Sequence, residues 1–403
     1  MNRIHKFLMI LLVVAVMAPS YERAAVAQVT DADKKVVVEG NNMFAIELYA
    51  ELKGRGGNLF FSPYSISTAL AMTYAGARGN TETQMARVLH FDLPQERLHP
   101  TFRKLITELN AQARKGYYEL NIANALWVLK GYRVLKEFIE LIKTNYGAEF
   151  DEVYFDEKTR RAINAWVEKQ TKGKIKELIK PGMLNEYTRL VLTNAIYFKG
   201  NWASQFDKKL TKDSPFYMRP DETVDVPMMY QEGNFKYMEN EKVQMIELPY
   251  VGNELSMVVI LPKEIDGLVE LENSLTLDTL KRWLDLMREG EVRVYLPKFT
   301  VTLDCTLNQT LASMGMTDAF TPGLADFSGM FGHKGPWIGL ALHKAFVEVN
   351  EEGTEAAAAT AVILEESVRR VLGFRADHPF IFLIRDMRSG SILFSGRLVN
   401  PLE

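Results

Sequence analysis

Cysteine and histidine are scarce in this sequence: its 403 residues include one cysteine and six histidines. A single cysteine, Cys305, excludes an intramolecular disulfide. No histidine or second cysteine lies beside it in the chain, so we interpret Cys305 as a small, half-buried thiol rather than a nucleophile or metal ligand. The histidines after the N-terminal segment are scattered, without the short spacings of metal sites: His90, His99, His333, His343 and His378. We therefore predict neither a metal nor another cofactor.

Sequence signatures of enzymes are also missing. The chain contains no H-E-x-x-H, C-x-x-C, G-x-x-x-x-G-K-[ST] or G-x-S-x-G motif. A catalytic triad dispersed along the chain leaves no local signature, so a secreted hydrolase stays as a disfavoured alternative. We interpret the paired acids Glu351–Glu352 and Glu365–Glu366 as solvent-facing loop charges rather than as catalytic carboxylates.

Neither sign of charge is in large excess. The chain has 48 Lys and Arg against 51 Asp and Glu, a net charge of -3. Nucleic-acid-binding surfaces need a concentrated basic patch, and the basic clusters here are small and interleaved with acids. We therefore predict no nucleic-acid partner.

Long apolar runs are absent except near the N-terminus. Basic residues precede an apolar run over 7–18, and small residues at 25–27 precede Gln28. That order is typical of a secretory signal peptide, and the run is shorter than the roughly 20 residues that span a bilayer. We interpret residues 1–27 as a signal peptide. The expected protein is secreted, extracellular or periplasmic in a Gram-negative bacterium, with no membrane association.

No Pro/Gly/Ser-rich linker or internal repeat divides the rest of the chain, so we predict one domain over 28–403. Its first half is mainly helical. Phe44, Leu48 and Leu52 have helical spacing, a helix is expected through Ala69–Tyr74, and Thr81 with Gln84 predicts a capping box for a helix ending near His90.

Strands dominate the second half. Residues 255–262 form a continuous apolar run that predicts a buried strand, while 291–301 and 344–349 alternate as half-buried strands do. Two apolar runs joined around Ser389–Gly390 predict a hairpin. Helices followed by strands predict an α+β fold.

Uncharged polar residues interrupt two apolar stretches. Ser62 and Ser65 stand where a helix is expected to begin, and Asn194 lies in the apolar run "VLTNAIYFKGNW". A buried asparagine needs a hydrogen-bond partner, for which His343 is one candidate. Local bonding of each side chain to the backbone is equally consistent with the sequence.

The segment "EEGTEAAAATAVILEESVRR" (351–370) fits two secondary structures. Its alanines and its Glu/Arg pairs at i, i+4 favour a helix, but it has no clear amphipathic stripe. With period two, the residues 354, 356, 358, 360, 362 and 364 form one uncharged row. The pattern is that of a strand composed largely of small side chains, which suits insertion into an existing sheet.

The chain resembles the serpins, the serine-protease-inhibitor superfamily. Matching segments occur in the family's order over most of the chain: "NLFFSPYSISTALAMTYAGARGNTETQM" (58–85), "INAWVEKQTKGKI" (163–175), "LTNAIYFKGNW" (192–202), "LASMGMTDAF" (311–320), "ADFSGM" (325–330), "LHKAFVEVNEEGTEAAAAT" (342–360), "HPFIFLIRD" (378–386) and "ILFSGRLVNP" (392–401). The resemblance implies a single domain with three β-sheets, about nine helices and an exposed reactive-centre loop over about 351–375.

The resemblance also implies a function, a non-enzymatic suicide inhibitor of serine proteases. After the protease attacks the loop, the hinge end of the loop inserts into the central sheet as a new strand and carries the covalently bound protease with it. The implied shutter beneath the opening of the sheet is Ser62, Ser65, Asn194 and His343, and Trp202 matches the breach, where the hinge enters. The implied hinge comprises Glu351, Glu352, Gly353, Thr354, Glu355, Ala356, Ala357, Ala358, Ala359 and Thr360.

The reactive bond is expected at Ser367–Val368, about seventeen residues from the first hinge glutamate. The alternative is the Arg369–Arg370 region, because spacing leaves an ambiguity of one or two residues. Ser367 or Val368 suits an elastase- or subtilisin-like protease, whereas an arginine suits a trypsin-like one. A non-inhibitory carrier or chaperone is a second hypothesis, which the small-residue hinge disfavours. We expect a monomer whose partner is the target protease.

Overall fold

The computed structural model describes residues 29–354 and 371–403, and in these ranges it has ten α-helices. They are α1 (Asp31–Leu52), α2 (Pro63–Tyr74), α3 (Gly79–Leu89), α4 (Gln95–Ala113), α5 (Lys136–Tyr146), α6 (Glu157–Gln170), α7 (Leu268–Ser274), α8 (Leu277–Leu286), α9 (Asn308–Ser313) and α10 (Ser328–Phe331). Single 3-10 turns occupy Lys53–Arg55 and Asp318–Phe320. No helix in the described ranges is both long and apolar enough to cross a membrane.

The described ranges also contain fifteen strands. They are β1 (Leu59–Phe61), β2 (Tyr118–Leu129), β3 (Glu149–Val153), β4 (Leu190–Asn201), β5 (Lys212–Arg219), β6 (Glu222–Glu239), β7 (Val243–Pro249), β8 (Leu255–Pro262), β9 (Arg288–Pro297), β10 (Phe299–Thr306), β11 (Leu340–Val349), β12 (Gly353–Thr354), β13 (Leu372–Arg375), β14 (Phe380–Asp386) and β15 (Ile392–Leu398). Helices concentrated in the first half and strands in the second confirm the α+β prediction.

The smaller sheet places its central strands side by side in the order β10-β11-β4-β2-β3, with β12 added on β4. Strands β4 and β11 are parallel, and their pairing ends at Tyr197 opposite Phe346. Alternate residues of β2 and β4 pack against α6 on one face, while the other face meets α2. Strands β4 and β11 therefore stay paired along most of their length and diverge near one end of the smaller sheet.

The larger sheet has nine strands in the order β1-β15-β14-β8-β7-β6-β9-β13, with β5 also paired to β6. The 18-residue strand β6 joins its two parts, since one stretch of β6 pairs with β5 and β9 and its end pairs with β7. The strands that pair with the first part of β6 and those that continue from its end through β7 form two distinct parts of the larger sheet. With the smaller sheet, these two parts correspond to the three expected sheets. An apolar cluster packs its inner face against the smaller sheet.

Most local predictions are confirmed, and two need correction. Strand β8 is buried throughout, and β14 and β15 form the expected hairpin. The capping box is wrong: α3 begins at Gly79, and Thr81 and Gln84 instead accept hydrogen bonds from the backbone amides of Asp326 (2.9 Å) and Asp318 (2.8 Å). The stretch 291–301 is not one strand, because the chain leaves the larger sheet after β9 and enters the smaller one as β10.

Candidate functional site

A buried polar network lies where β4 and β11 run side by side. Asn194 and His343 are directly opposite in the register, and both are at most 1% exposed. The amide oxygen of Asn194 is 2.5 Å from His343 Nδ1, and its Nδ2 is 2.5 Å from Ser65 Oγ. The four residues that the resemblance assigned to the shutter are thus hydrogen-bonded neighbours, although their role in opening remains a prediction.

The hydrogen bonds define the protonation state of His343. The backbone N–H of Ser62 donates to His343 Nε2 (3.2 Å), so that nitrogen is an acceptor and Nδ1 carries the proton donated to Asn194. Complete burial lowers the pKa of His343 to about 3. A neutral imidazole therefore bridges the two strands and the start of α2.

Ser62 also caps α2. Its Oγ accepts the backbone N–H of Ser65 (3.1 Å) and donates to the carbonyl of Leu393 on β15 (2.6 Å). Pro63 occupies the first helical position, so α2 begins where Ser62 and Ser65 predicted a helix start. The network consequently ties a helix terminus to both sheets.

Asn124 on β2 was missed by the sequence reasoning. Its Oδ1 accepts a hydrogen bond from Asn194 Nδ2, opposite which it lies in the β2–β4 register. The signal was present, because Asn124 also interrupts an apolar run, "IANALWVL". An uncharged amide in such a run points to a buried partner.

Trp202 lies just beyond the end of β4. Its ring stacks on Tyr250 with centroids 4.7 Å apart, and its Nε1 donates to the carbonyl of Asn350 (3.0 Å). The indole is 2% exposed. Trp202 thus combines core packing with a direct bond to the turn from which the hinge begins.

The start of the predicted hinge lies against β4. Gly353 and Thr354 form β12, whose backbone pairs with Asn201 and Gly200. Gly353 has φ +144°, and a Cβ there would lie 2.2 Å from the carbonyl oxygen of Gly200. Only glycine fits this approach, so Gly353 has a steric role as well as the conformational freedom expected from the sequence.

The interpretation of Glu351 and Glu352 as solvent-facing charges is wrong, since both are at most 7% exposed. The Glu351 carboxylate accepts from Thr211 Oγ1 (2.9 Å) and pairs with Lys298 (3.0 Å), while Glu352 pairs with Lys208. Burial alone would raise the pKa of Glu351, but hydrogen bonds, that from Lys298 foremost, lower it below its usual range. The local sequence pattern could not predict these partners, because Thr211 and Lys298 lie more than 50 residues from Glu351 in the chain.

The remaining predicted loop positions fall largely outside the described residues: Glu355, Ala356, Ala357, Ala358, Ala359, Thr360, Ser367, Val368, Arg369 and Arg370, together with Glu365–Glu366. The ends of the expected loop range, 351–375, belong to the fold. At one end the two glutamates are buried, and at the other Leu372–Arg375 is strand β13.

Cys305 is 4% exposed, and burial raises the pKa of its thiol to about 12. A thiol in that state is a poor nucleophile. Across 29–354 and 371–403, no cluster of three or more His, Cys, Asp or Glu residues could hold a metal ion.

Known proteins similar to this chain include protease inhibitors. A leukocyte elastase inhibitor of Xenopus tropicalis is 45% identical over 369 residues, which cover 89% of this chain and 97% of that protein. A serpin B6 of Pongo abelii is 44% identical over 377 residues, 91% of this chain and 100% of that protein. Uncleaved ovalbumin matches structurally with a TM-score of 0.82 and 32% identity, over 91% of this chain and all of the other.

These relatives overturn the prediction of secretion. Leukocyte elastase inhibitor and serpin B6 are serpins of the intracellular type. The apolar N-terminal segment on which the prediction depended, residues 1–27, lies outside the described residues. Its composition resembled a signal peptide, but the proteins that this chain resembles do not support export.

The match extends across the whole site. The family model for serpin (serine protease inhibitor) covers residues 39–401, which include both sheets, the network around Asn194 and the start of the hinge. The family and the elastase inhibitors among the relatives support protease inhibition rather than catalysis. The chain belongs to the serpin family.

Proposed function

We propose that this protein is a suicide inhibitor of a serine protease, with residues 28–403 acting as one monomeric domain. The observation that carries the proposal is the pairing of Gly353–Thr354 with the end of β4. This pairing lies beyond Tyr197, where β11 no longer pairs with β4. The hinge therefore starts in line with the space between these two strands.

Insertion of the hinge would exchange one ladder of hydrogen bonds for two. The parallel pairing of β4 with β11 would be broken, and the new strand would pair with each of them. Since neighbouring strands lie about 4.8 Å apart, β4 and β11 would separate to roughly 10 Å. The direct bond between Asn194 and His343 cannot span that distance, so the network has to open for insertion to proceed.

Small side chains make that passage feasible. The row of Ala356 and Ala358 with Thr354 and Thr360 adds little volume between packed strands. If about 13 residues insert at about 3.3 Å each, the attached protease moves by roughly 45 Å. Insertion must finish before the acyl-enzyme is hydrolysed.

The proposed reactive bond is Ser367–Val368, with Arg369–Arg370 as the alternative. A small residue at the cleavage point suits an elastase- or subtilisin-like pocket, and the relatives named leukocyte elastase inhibitor support an elastase-like target. The acids at 365–366 disfavour trypsin-like proteases whose sites have acidic rims.

The proposal is tested by incubating the protein with pancreatic elastase, subtilisin and trypsin. We expect a 1:1 complex that resists denaturant, and a released C-terminal fragment that begins at Val368 by mass spectrometry. A fragment beginning at Arg370 or Val371 would move the bond to the arginines. Cleavage by every protease without a complex would instead favour the carrier or chaperone hypothesis.

Two variants separate the insertion step from loop cleavage. Thr354→Arg is expected to convert the inhibitor into a substrate without unfolding it, because a charge is placed in the uncharged row. Thr354→Ala is the matched control and should still inhibit. Cleavage of the parent loop should raise the melting temperature markedly, whereas cleavage of the arginine variant should not.

A further inference from the structure

One edge of strand β2 is paired along only half of its length. Strand β3 pairs with residues 125–129 of β2, whereas β4 pairs with the opposite edge from Tyr118 to Val128. Within the described part of the chain, residues 119–124 therefore have β4 as their single strand neighbour. Their backbone N–H and C=O groups that point away from β4 form an open edge, which is a template for an added strand.

A cleft of about 540 Å³ lies beside this open edge. It is bounded by α4, by the segment 143–149, and by Trp166 and Gln170 of α6, and four β2 residues between 120 and 124 line it. A strand that is added to a sheet lies about 4.8 Å from its neighbour. An extended peptide paired with the open edge would therefore run along the cleft.

Two buried polar atoms of residues that line the cleft have no hydrogen-bond partner among the described residues. They are the hydroxyl of Tyr64, a residue that is 3% exposed, and Nδ2 of Asn121. Each can donate a hydrogen bond, so each suits a carbonyl or carboxylate oxygen. Because unpaired buried donors are unfavourable, a ligand that supplies such acceptors gains by binding here.

The charges of the cleft favour an acidic ligand. Arg103 on α4 and Lys143 on α5 line it, and both are exposed. Across the ranges that the structure describes, neither side chain has a hydrogen-bond or ion-pair partner. Glu149 is the single acid in the described lining. Two unpaired cations against one acid are complementary to carboxylates.

We propose that the open edge of β2 is a docking site for an extended acidic peptide segment of a partner protein. The peptide backbone pairs with residues 119–124, and its carboxylates meet Arg103 and Lys143. In strand addition, main-chain hydrogen bonds give affinity and side-chain contacts give specificity. A small free anion could reach the same cations, but it would leave the backbone edge unpaired.

This inference goes beyond the proposed inhibition and does not depend on it. None of the hinge residues that the structure describes lines the cleft. Loss of peptide binding and loss of protease inhibition are therefore separate results.

The test titrates the full-length protein with a blocked hexapeptide in which valine and glutamate alternate. Calorimetry measures the dissociation constant, and hydrogen exchange measures protection of the backbone amides of 119–124. A second peptide has glutamine at each glutamate position, and citrate serves as a carboxylate ligand without a peptide backbone. The variants are Arg103→Gln, Lys143→Gln, their combination, and Thr107→Trp, which places a bulky ring in the cleft from α4.

The matched control is the double variant Lys136→Gln/Arg282→Gln. It removes two exposed cations, one of them on the same helix as Lys143, that do not line the cleft. Melting temperatures establish that each variant is folded.

We expect saturable 1:1 binding of the glutamate peptide, about fivefold weaker in each single glutamine variant and at least about tenfold weaker in the cleft double variant, the upper range for exposed ion pairs. The glutamine peptide should bind the parent as weakly as the glutamate peptide binds that double variant. Thr107→Trp should abolish binding, and the control should match the parent. Added protection should appear in 119–124 and not in 125–129, which β3 already pairs.

Failure of the folded parent to bind the glutamate peptide would overturn the inference. Equal affinity for the two peptides, or binding without added protection of 119–124, would also reject it. Citrate that binds as tightly as the peptide, with the same sensitivity to Arg103→Gln, would identify a small-anion site instead of strand addition. Protection of 119–124 before any peptide is added would show that another segment of this chain covers the edge, which likewise rejects the proposal.

Discussion

Replacing Asn194 with alanine should destabilise the protein by about 3 kcal/mol. The change removes the acceptor for the Nδ1–H of His343 and the donor to Asn124 Oδ1. His343 is 0% exposed, so its donor cannot turn to water. A buried polar group left unpaired costs about 1–3 kcal/mol, and two such groups give the stated magnitude.

The matching shift in melting temperature is small but measurable. An unfolding entropy of about 2.1 cal/mol/K per residue over roughly 370 residues converts 3 kcal/mol into about 4 °C. Urea unfolding and calorimetry both report the change. A double-mutant cycle with His343→Ala should show that the two substitutions are not additive, because each removes the same bond.

Asn121→Ala is the matched control for this experiment. Asn121 is on β2, three residues from Asn124, and within the described residues its buried Nδ2 has no hydrogen-bond partner. Removing that amide should be neutral or slightly stabilising. Equal losses in the two variants, or no loss in Asn194→Ala, would refute the reasoning.

Three further predictions test contacts at the predicted hinge and at two buried histidines. Gly353→Ala should abolish the pairing of β12 with β4, since its Cβ would lie 2.2 Å from Gly200 O, and unchanged hydrogen exchange at Gly200 and Asn201 would contradict this. Burial lowers the pKa of His343 to about 3 and that of His99 to about 4, whereas in the unfolded chain both histidines take up a proton near pH 6.5. The free energy of unfolding should therefore fall between pH 6.5 and pH 4 by up to about 1.4 kcal/mol per pH unit for each histidine. His99→Gln should make the melting temperature depend less on pH over this range. Lys208→Met should lower the melting temperature, because it leaves the buried carboxylate of Glu352 without its cation. Lys209→Met, which changes an exposed neighbour, should leave the melting temperature unchanged. Equal effects of the two variants would exclude a stabilising ion pair between Lys208 and Glu352.

Features with a local signal were predictable from sequence. Helical spacing of apolar residues located α1, and a continuous apolar run located β8. An amide in an apolar run identified Asn194 as a residue that needs a buried partner. The sequence could not decide whether Asn194 and His343 bond to each other or separately to the backbone. Their bond requires two residues 149 positions apart to lie opposite each other on parallel strands.

Features set by distant partners were not predictable. Glu351 and Glu352 look like loop charges in the sequence, and only the fold brings Lys298, Thr211 and Lys208 to them. Thr81 and Gln84 have the spacing of a capping box, but backbone amides from a distant segment use their oxygens instead. In each case tertiary contacts outweighed a correct local rule.

The direction of the hydrogen bonds around His343 has a consequence for how the sheet can open. The bonds that involve His343 and Asn194 run head to tail, from the Ser62 amide to His343, from His343 to Asn194, and from Asn194 to Ser65 and Asn124. Dipoles aligned head to tail polarise one another, so each bond is strongest when all are present. Breaking one of these hydrogen bonds weakens the others, so a state with only some of them broken is unfavourable. If β4 and β11 part as proposed, we expect these bonds to break together rather than one at a time.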